Sequence, residues 1–364
     1  MNESSLPHSL PPNPPRCGDA GSEQAASGQA GDVLQGRPTE PTASSIAELI
    51  ERIKKSVDNL ARDHTSRGDL KIIARTLQEL RYAFKVFKPY RRRRKVVMFG
   101  SARTPPDDPA YQQAVAFGRA MASNDWFVIT GAASGIMEAG HVGAGREYSM
   151  GLNILLPFEQ ASNPIIAGDH KLVYMKYFFN RKLMFVKECN AVCLLPGGFG
   201  TLDEGLEVLT LLQTGKRDMV PVVFLDAPGG DYWKAFMNFV EKYLLRRGMI
   251  DPEDLSLFKL TDSVQEAVAD ILGFFRVYHS MRYVGQNLVL RLNTPISQQL
   301  LDRINEQFAD MLLSGRFVLG GALPEEEDEP ELAALPRLIF HFHRRNFGRL
   351  RQLIDFINAG QQAD

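Results

Sequence analysis

The central part of the chain alternates short apolar runs with helical stretches, and this alternation constrains the fold more than any other feature. Each run has the length of a buried strand and is followed by small or turn-forming residues: Val96–Phe99, Trp126–Ile129, Leu152–Leu156, Ala191–Leu195 and Val220–Leu225. Strands that alternate with helices form βαβ units with a parallel sheet. The runs are apolar on both faces, as a sheet covered by helices on both sides requires. We therefore predict an α/β fold, a parallel sheet flanked by helices, over residues 95–275.

The flanking regions have different compositions. Residues 1–44 are rich in Pro, Gly, Ser, Ala and Gln, cannot bury enough apolar surface to fold, and are predicted to be disordered. Residues 45–94 carry apolar side chains at helical spacing in two sets separated by a polar break, which predicts a helical extension. Residues 276–364 contain strand-like runs at 287–292, 316–319 and 338–342 and helical stretches at 297–313 and 347–359, so we predict a small α+β accessory domain there.

Charge and cysteine content indicate which partners and which compartment to expect. The formal net charge is -1, which gives no overall attraction to nucleic acid or to an anionic membrane. The basic run 91–95 is interpreted as a solvated lead-in to a strand, with an anion or partner patch as the alternative, and the acidic run 325–329 as a solvated loop. His341 and His343 are expected to be surface or hydrogen-bonded histidines. Three cysteines and the absence of a membrane-length apolar run or a secretory signal predict a cytoplasmic protein.

Three strand-to-helix junctions have the composition of phosphate-binding loops. They begin at Phe99, Thr130 and Pro196, and each contains glycine together with hydroxyl or charged residues. In a parallel sheet, ligands bind where strands end and helices begin, because helix amino termini present free N–H groups to an anion. None of the three has the pattern of a nucleotide-hydrolysing P-loop or of a dinucleotide-binding fingerprint.

The third junction, residues 196–204, reads Pro-Gly-Gly-Phe-Gly-Thr-Leu-Asp-Glu. Thr201 and Glu204 have the spacing of a helix capping box, which alone could explain both residues. Three closely spaced glycines favour a loop that wraps an anion. Upstream, Arg181 and Lys182 lie among large apolar residues on a predicted buried helix, where a cation needs an anionic partner such as a phosphate or Glu204.

These residues resemble the LOG (Lonely Guy) family of cytokinin-activating nucleoside 5′-monophosphate phosphoribohydrolases. The junction 196–204 matches the signature P-G-G-x-G-T-x-x-E of that family, and Arg181-Lys182 occupies the place of its R-K pair. Segments 135–139, 143–144, 151–157 and 213–216 are similar to further family segments. The second junction departs from the pattern, because Gly131-Ala132-Ala133 stands where many relatives have a run of glycines. The resemblance covers about residues 95–275 and implies a Rossmann-like sheet.

The resemblance also implies a reaction and roles for individual residues. The reaction is hydrolysis of the N-glycosidic bond of a nucleoside 5′-monophosphate, AMP or N6-modified AMP, to free base and ribose 5-phosphate. Glu204 and Arg181 are the implied catalytic residues. The implied substrate and phosphate ligands are Gly197, Gly198, Gly200, Thr201, Ser101, Gly131, Glu138 and Lys182. No metal or cofactor is required, and a homodimer or higher homo-oligomer is expected.

Two other functions are considered. A non-catalytic nucleotide sensor or molybdenum-cofactor carrier of the same superfamily could retain the glycine loop, although retention of Arg181 and Glu204 favours an enzyme. Amino-acid decarboxylation, a label often given to this family, would require pyridoxal phosphate on a lysine. No lysine has a suitable context for that role.

Overall fold

The computed structural model describes residues 46–156 and 161–360, so the predicted disordered segment 1–44 lies outside the described residues. The chain divides into two compact units, of which the first ends at Val57 and the second begins at Asp58. The described part of the first unit is the beginning of helix α1 (Ile46–Arg62). In the second unit, helix α2 (Arg67–Phe87) follows the polar break, as predicted.

A seven-stranded parallel sheet forms the centre of the second unit. Its strands are β1 (Lys95–Phe99), β2 (Phe127–Thr130), β3 (Ser149–Ile154), β4 (Leu172–Met175), β5 (Ala191–Leu194), β6 (Val222–Leu225) and β7 (Lys259–Thr261). The strand order is β4-β3-β2-β1-β5-β6-β7, and all neighbouring pairs are parallel. The predicted α/β fold is therefore confirmed. Strands β4 and β7 were not expected from the sequence.

Helices cover both faces of this sheet. They are α3 (Pro109–Ser123), α4 (Ile136–Tyr148), α5 (Phe178–Glu188), α6 (Phe199–Gln213), α7 (Tyr232–Phe239) and α8 (Val264–Phe274). Alternate residues of β1 belong to different apolar clusters: Val96 and Met98 to one, Val97 and Phe99 to the other. This alternation explains why the strand is apolar at every position.

The carboxy-terminal region contains a second, antiparallel sheet of four strands. Its strands are β8 (Tyr278–Val284), β9 (Asn287–Leu292), β10 (Leu312–Gly320) and β11 (Arg337–Phe342), in the order β10-β11-β9-β8. Helices α9 (Gln298–Gln307) and α10 (Phe347–Gly360) complete it. Buried residues of both sheets belong to one apolar cluster, so this region packs directly on the parallel sheet. No helix among the described residues is both long and apolar enough to cross a membrane.

The interpretation of the acidic run as a solvated loop is wrong for Glu326. The Glu326 carboxylate is buried and accepts hydrogen bonds from Arg291 at 2.8 Å and from Arg337 at 3.2 Å. Both arginines are buried as well. Arginines of β9 and β11, 35 and 11 positions from Glu326, therefore hold part of the acidic run in the interior.

The basic run 91–95 is also not uniformly solvated. Arg92 lies 3.7 Å from Glu331 on the surface, whereas Lys95 is buried in β1 and lies 3.5 Å from the buried Glu188. Arg94 stacks on the ring of Phe275 at 3.8 Å.

His341 and His343 are both hydrogen-bonded, as predicted. His341 in β11 bonds Ser314 at 2.9 Å, and the His343 ring accepts from the main-chain N–H of Arg345 at 3.0 Å. His343 lies just beyond the end of β11.

Candidate active site

A cavity lies where the strand order reverses, between the carboxyl ends of β1 and β5. Its volume is about 760 Å³, within the range of small-molecule sites. The residues that follow β1, β2 and β5 line it, together with side chains of α5: Phe99, Gly100, Ser101, Ala102, Arg103, Gly131, Met137, Arg181, Phe185, Gly197, Gly198, Phe199, Gly200, Thr201, Leu202 and Glu204. The crevice at such a switch point is where open parallel sheets bind ligands.

The glycine loop after β5 leads directly into α6, and this excludes the capping-box explanation. The residue that precedes α6 is Gly198, and no side chain caps the helix. Thr201 and Glu204 lie inside α6, in its first and second turns, and both are buried. The spacing of Thr201 and Glu204 therefore places both residues in the lining of the cavity and does not form a cap on α6.

Close packing holds the beginning of this loop. A Cβ added to Gly197 would lie 2.2 Å from the Thr201 hydroxyl oxygen and 3.0 Å from the main-chain nitrogen of Ser101. The Tyr232 hydroxyl donates to the Gly197 carbonyl at 2.5 Å. Only glycine fits this position without displacing the loop after β1.

The amino terminus of α6 faces the cavity with free donors. Within the described residues, the N–H groups of Phe199 and Gly200 have no acceptor, whereas that of Thr201 donates to Gly198 at 3.0 Å. Free N–H groups and the positive end of the helix dipole together favour an anion at this point.

Arg181 enters the cavity from the first turn of α5. Its guanidinium lies 4.9 Å from the Phe178 ring centroid and 5.7 Å from that of Phe185. Its Nε is buried and has no hydrogen-bond partner among the described residues. Burial lowers the pKa of Arg181, against the opposing effect of Glu204. A half-buried guanidinium with a buried, unpaired Nε–H can bind an anionic or polar ligand.

A buried contact from α2 fixes the beginning of α5. Glu79 accepts from the Asn180 side chain and from the main-chain N–H of Lys176, each at 2.8 Å. Asn180 directly precedes Arg181, so the helical extension holds the arginine in place. The expectation that α5 is largely buried is only half correct, because Phe178 and Phe179 are about half exposed.

Glu204 projects into the cavity with two cations beside it. Its carboxylate lies 3.5 Å from the Lys182 ammonium, which also contacts Asp203 at 2.8 Å and Glu207 at 2.7 Å. Burial raises the pKa of Glu204, and the charges of Lys182 and Arg181 oppose that rise. The result is a desolvated carboxylate whose ionised form depends on neighbouring cations.

The other two loops form the opposite wall. Ser101 accepts a hydrogen bond from the N–H of Arg103 at 3.1 Å, and its main-chain carbonyl accepts from Ile136 at 3.0 Å. Gly135 has a φ of 65°, and an added Cβ would lie 2.3 Å from the Ser101 carbonyl oxygen. The two loops are thus in direct contact.

A buried histidine network supports the second loop. His141 of α4 bonds the Thr130 hydroxyl at 3.1 Å and the Asn163 side chain, and the Thr130 hydroxyl accepts from the N–H of Ala132 at 3.0 Å. Asn163 donates in turn to the Ala133 carbonyl at 3.2 Å. Burial lowers the pKa of His141 to about 4, so the ring is neutral at pH 7.

Most of the predicted site residues meet in this one cavity. Those that line it are Glu204, Arg181, Gly197, Gly198, Gly200, Thr201, Ser101 and Gly131. Glu138 and Lys182 are not among its lining residues, and Lys182 acts on the cavity through Glu204. Sequence reasoning did not select Arg103 or the apolar wall formed by Met137 and Phe185. Arg103 lies in the first predicted loop, and its positive charge in a predicted phosphate-binding loop could have identified it as a site residue.

Part of the chain that lines this cavity is similar in sequence to known proteins. A family model described as "possible lysine decarboxylase" matches residues 130–271. The cytokinin riboside 5′-monophosphate phosphoribohydrolase LOG1 of Arabidopsis thaliana is 36% identical over 88 residues, which are 24% of this chain and 39% of that protein. LOG7 of the same plant, which carries the same enzyme name, is 28% identical over 169 residues, 45% of this chain and 74% of that protein.

The matched segment therefore spans about two fifths of the length of the first of these relatives. Among solved structures, the molybdenum cofactor binding protein from the phototrophic bacterium Rippkaea orientalis is similar at 19% identity with a TM-score of 0.33. That likeness covers 48% of this chain and 91% of the other.

Proposed function

We propose that the chain, which over residues 130–271 matches the family model and is similar to the LOG enzymes, hydrolyses the N-glycosidic bond of a nucleoside 5′-monophosphate. The products are a free base and ribose 5-phosphate, and AMP or an N6-modified AMP is the proposed substrate. One observation carries the proposal: the buried carboxylate of Glu204, the Arg181 guanidinium and the first N–H groups of α6 face the same cavity, and neither Arg181 Nε nor those N–H groups have a partner among the described residues.

The 5′-phosphate is proposed to lie at the amino terminus of α6. The N–H groups of Phe199 and Gly200 and the Thr201 hydroxyl would donate to its oxygens. Neither Gly198 nor Gly200 has a neighbour within 4 Å of an added Cβ, so the space above both is open to the ligand. The exposed Arg103 on the facing loop supplies a further positive charge.

The bond to be broken would then lie deeper, beside Glu204. Cleavage separates C1′ of the ribose from the base nitrogen and leaves positive charge on the sugar. An ionised Glu204 would stabilise that charge and orient the water whose oxygen bonds to C1′. Arg181 would stabilise the electron pair that departs with the base, and the base takes up the proton that the attacking water loses.

The decarboxylase description of the family receives no support from the lining of this cavity. Pyridoxal phosphate requires a lysine amine for its Schiff base. No lysine is among the described residues that line the cavity, and the Lys182 ammonium is paired with carboxylates of α6.

The test is a chromatographic assay for free base with a panel of nucleoside monophosphates. Glu204→Gln should lower the rate by at least about a hundredfold, in line with the loss of a charge-stabilising group. Glu207→Gln is the matched control, because Glu207 contacts Lys182 from the same helix but does not line the cavity.

Nucleotide binding without base release from any monophosphate would contradict the enzyme and favour the carrier or sensor alternative. Equal activity of the wild type and Glu204→Gln would remove Glu204 from the mechanism.

We also propose that the chain forms at least a dimer through the surface of α5 and α6. Phe178, Phe179, Leu183 and Leu206 are each 45–52% exposed there, a concentration of apolar surface that is costly in water. Light scattering on the purified protein should give a mass of at least twice 40.7 kDa. The double variant Leu183→Glu, Leu206→Glu should reduce the measured mass to that of one chain.

A further inference from the structure

A second cavity lies at the opposite edge of the parallel sheet, where β1, β5 and β6 begin. Its volume is about 350 Å³. We call it the amino-edge cavity. It is bounded by the end of α5, by the segment 216–220 that leads to β6, and by the start of β8: Arg94, Val186, Lys187, Cys189, Asn190, Lys216, Arg217, Asp218, Met219, Val220, Phe275, Tyr278, His279 and Ser280.

The charges that line this cavity are unbalanced. Lys187 is paired with Glu188 at 2.5 Å. Within the described residues, Arg94, Lys216 and Arg217 have no carboxylate within 4 Å. Asp218 is the one carboxylate in the lining, which leaves an excess of two positive charges.

Two of these cations are held in place without being neutralised. Arg217 donates to the main-chain carbonyls of Val186 and Cys189 at the end of α5, and its Nε is buried with no partner in the described part of the chain. Arg94 is held flat against Phe275 at 3.8 Å. Both guanidinium groups are half-buried, so each has lost part of its hydration. Fixed, partly desolvated guanidinium groups without carboxylate partners are typical of anion sites.

Neutral donors complete the lining. His279 and Ser280 bond each other at 2.9 Å at the cavity wall. Burial and the charge of Arg94 lower the pKa of His279. A neutral imidazole and a hydroxyl can orient oxygen atoms of a ligand without adding charge.

We propose that the amino-edge cavity is a second ligand site, which binds the phosphate group of a small phosphorylated metabolite. A phosphate monoester carries between one and two negative charges at pH 7, which matches the excess of two positive charges. The volume exceeds that of the phosphate group alone and leaves room for the group esterified to it.

The position of this site gives it contact with the far ends of two helices. Helices α5 and α6 begin beside the candidate active site and end at, or just before, the amino-edge cavity. An occupant would therefore touch the carboxyl end of α5 and the segment that follows α6. The sheet separates it from the nucleotide proposed above.

Calorimetric titration of the full chain tests the proposal, with inorganic phosphate and ribose 5-phosphate as separate ligands. Arg94→Gln combined with Lys216→Gln should weaken binding at one site by about tenfold or more, because charge-assisted bonds are lost. This variant should fold, since neither side chain makes a hydrogen bond in the described residues. Arg91→Gln, in the same basic run but outside the cavity, should bind as the wild type does.

Gly200→Ala distinguishes the two cavities, because it obstructs only the proposed active site. The amino-edge site should keep its phosphate affinity in that variant. Binding that is unchanged in the Arg94→Gln, Lys216→Gln variant, or that disappears entirely in Gly200→Ala, would overturn the proposal. Tighter binding of ribose 5-phosphate than of inorganic phosphate identifies an ester as the ligand, whereas equal binding identifies the free ion.

Discussion

The Lys182 ammonium lies 3.5 Å from the Glu204 carboxylate and also contacts Asp203 and Glu207. Three carboxylates on one face of α6 thus share one cation from α5. Only Glu204 is both buried and in the lining of the cavity. The charge of Lys182 favours the ionised form of Glu204, and we infer that Lys182 is a positioning residue.

The first prediction concerns the pH dependence of base release. Burial raises the pKa of Glu204 and Lys182 opposes that rise, so Lys182→Met should raise this pKa further. If ionised Glu204 is required, the acidic limb of kcat/KM should move to higher pH in the variant. Lys176→Met, which removes an exposed lysine just before α5, serves as the control. An acidic limb at the same pH in both variants would argue against the electrostatic link.

The second prediction separates binding from stability at Gly200. This residue lies in the first turn of α6, and an added Cβ would meet nothing within 4 Å. Gly200→Ala should stabilise the fold by about 0.5–1 kcal/mol, because alanine loses less entropy in a helix. Its methyl group should raise KM for the monophosphate at least about tenfold by occupying the proposed phosphate position. Thermal melting and steady-state kinetics measure the two effects.

Gly205→Ala provides the contrast on the same helix. An added Cβ there would lie 2.4 Å from Leu194 in β5, so this variant should lose about 1–3 kcal/mol of stability through overpacking. A stability loss of similar size in both variants would show that Gly200 is needed for folding.

The sequence predicted the elements that local patterns encode. Five strands of the parallel sheet and the glycine junctions follow from residues adjacent in the chain, and they bring Glu204 and Arg181 to one cavity. Strand β7 was not predicted because three residues are too few for a periodic signal, and β4 was not predicted because it is a short apolar run at the edge of the sheet, bounded by Lys171 and Lys176. Strand β8 was not predicted because the polar residues His279, Ser280 and Arg282 interrupt the apolar run that a buried strand would show.

Contacts between residues distant in sequence account for the remaining differences between the predicted and the observed structure. Glu79 and Asn180 are 101 positions apart, and no local pattern indicates that a glutamate of α2 fixes the beginning of α5. The burial of Glu326 likewise depends on Arg291, 35 positions away. The capping-box alternative failed for a related reason, since the helix begins at Phe199 and not after Thr201.

A third prediction uses the neutral state of His141. In the unfolded chain the pKa of a histidine is near 6.5, and burial lowers the pKa of His141 to about 4 in the folded protein. The unfolded state therefore binds a proton first as the pH falls, and stability is lost between these two values. The loss should reach about 3 kcal/mol near pH 4.

Urea denaturation at a series of pH values checks this expectation. His141→Gln cannot take up the proton, so its free energy of unfolding should fall less steeply over the same interval. Parallel curves for the two proteins would show that another group controls the acid sensitivity.

The fourth prediction concerns the buried charges of the carboxy-terminal sheet. Glu326→Ala would leave Arg291 and Arg337 buried without their carboxylate, which should cost about 3–5 kcal/mol. Glu325→Ala, one position earlier on an exposed side chain, should change stability by less than about 0.5 kcal/mol. Chemical denaturation of both variants gives the difference, and similar values would place Glu326 in solvent.

Because Thr201 and Glu204 lie inside α6, the helix geometry fixes the directions in which the side chains of the signature point. Each residue inserted into a helix rotates the side chains beyond it by about 100° around the helix axis. One residue inserted after Leu202 would keep every functional group of the signature, yet it would turn the Glu204 carboxylate away from the proposed sugar position while the proposed phosphate-binding end of α6 stayed in place. The spacing of the motif therefore sets an angle between two ligand contacts, and its length is as restricted as its composition.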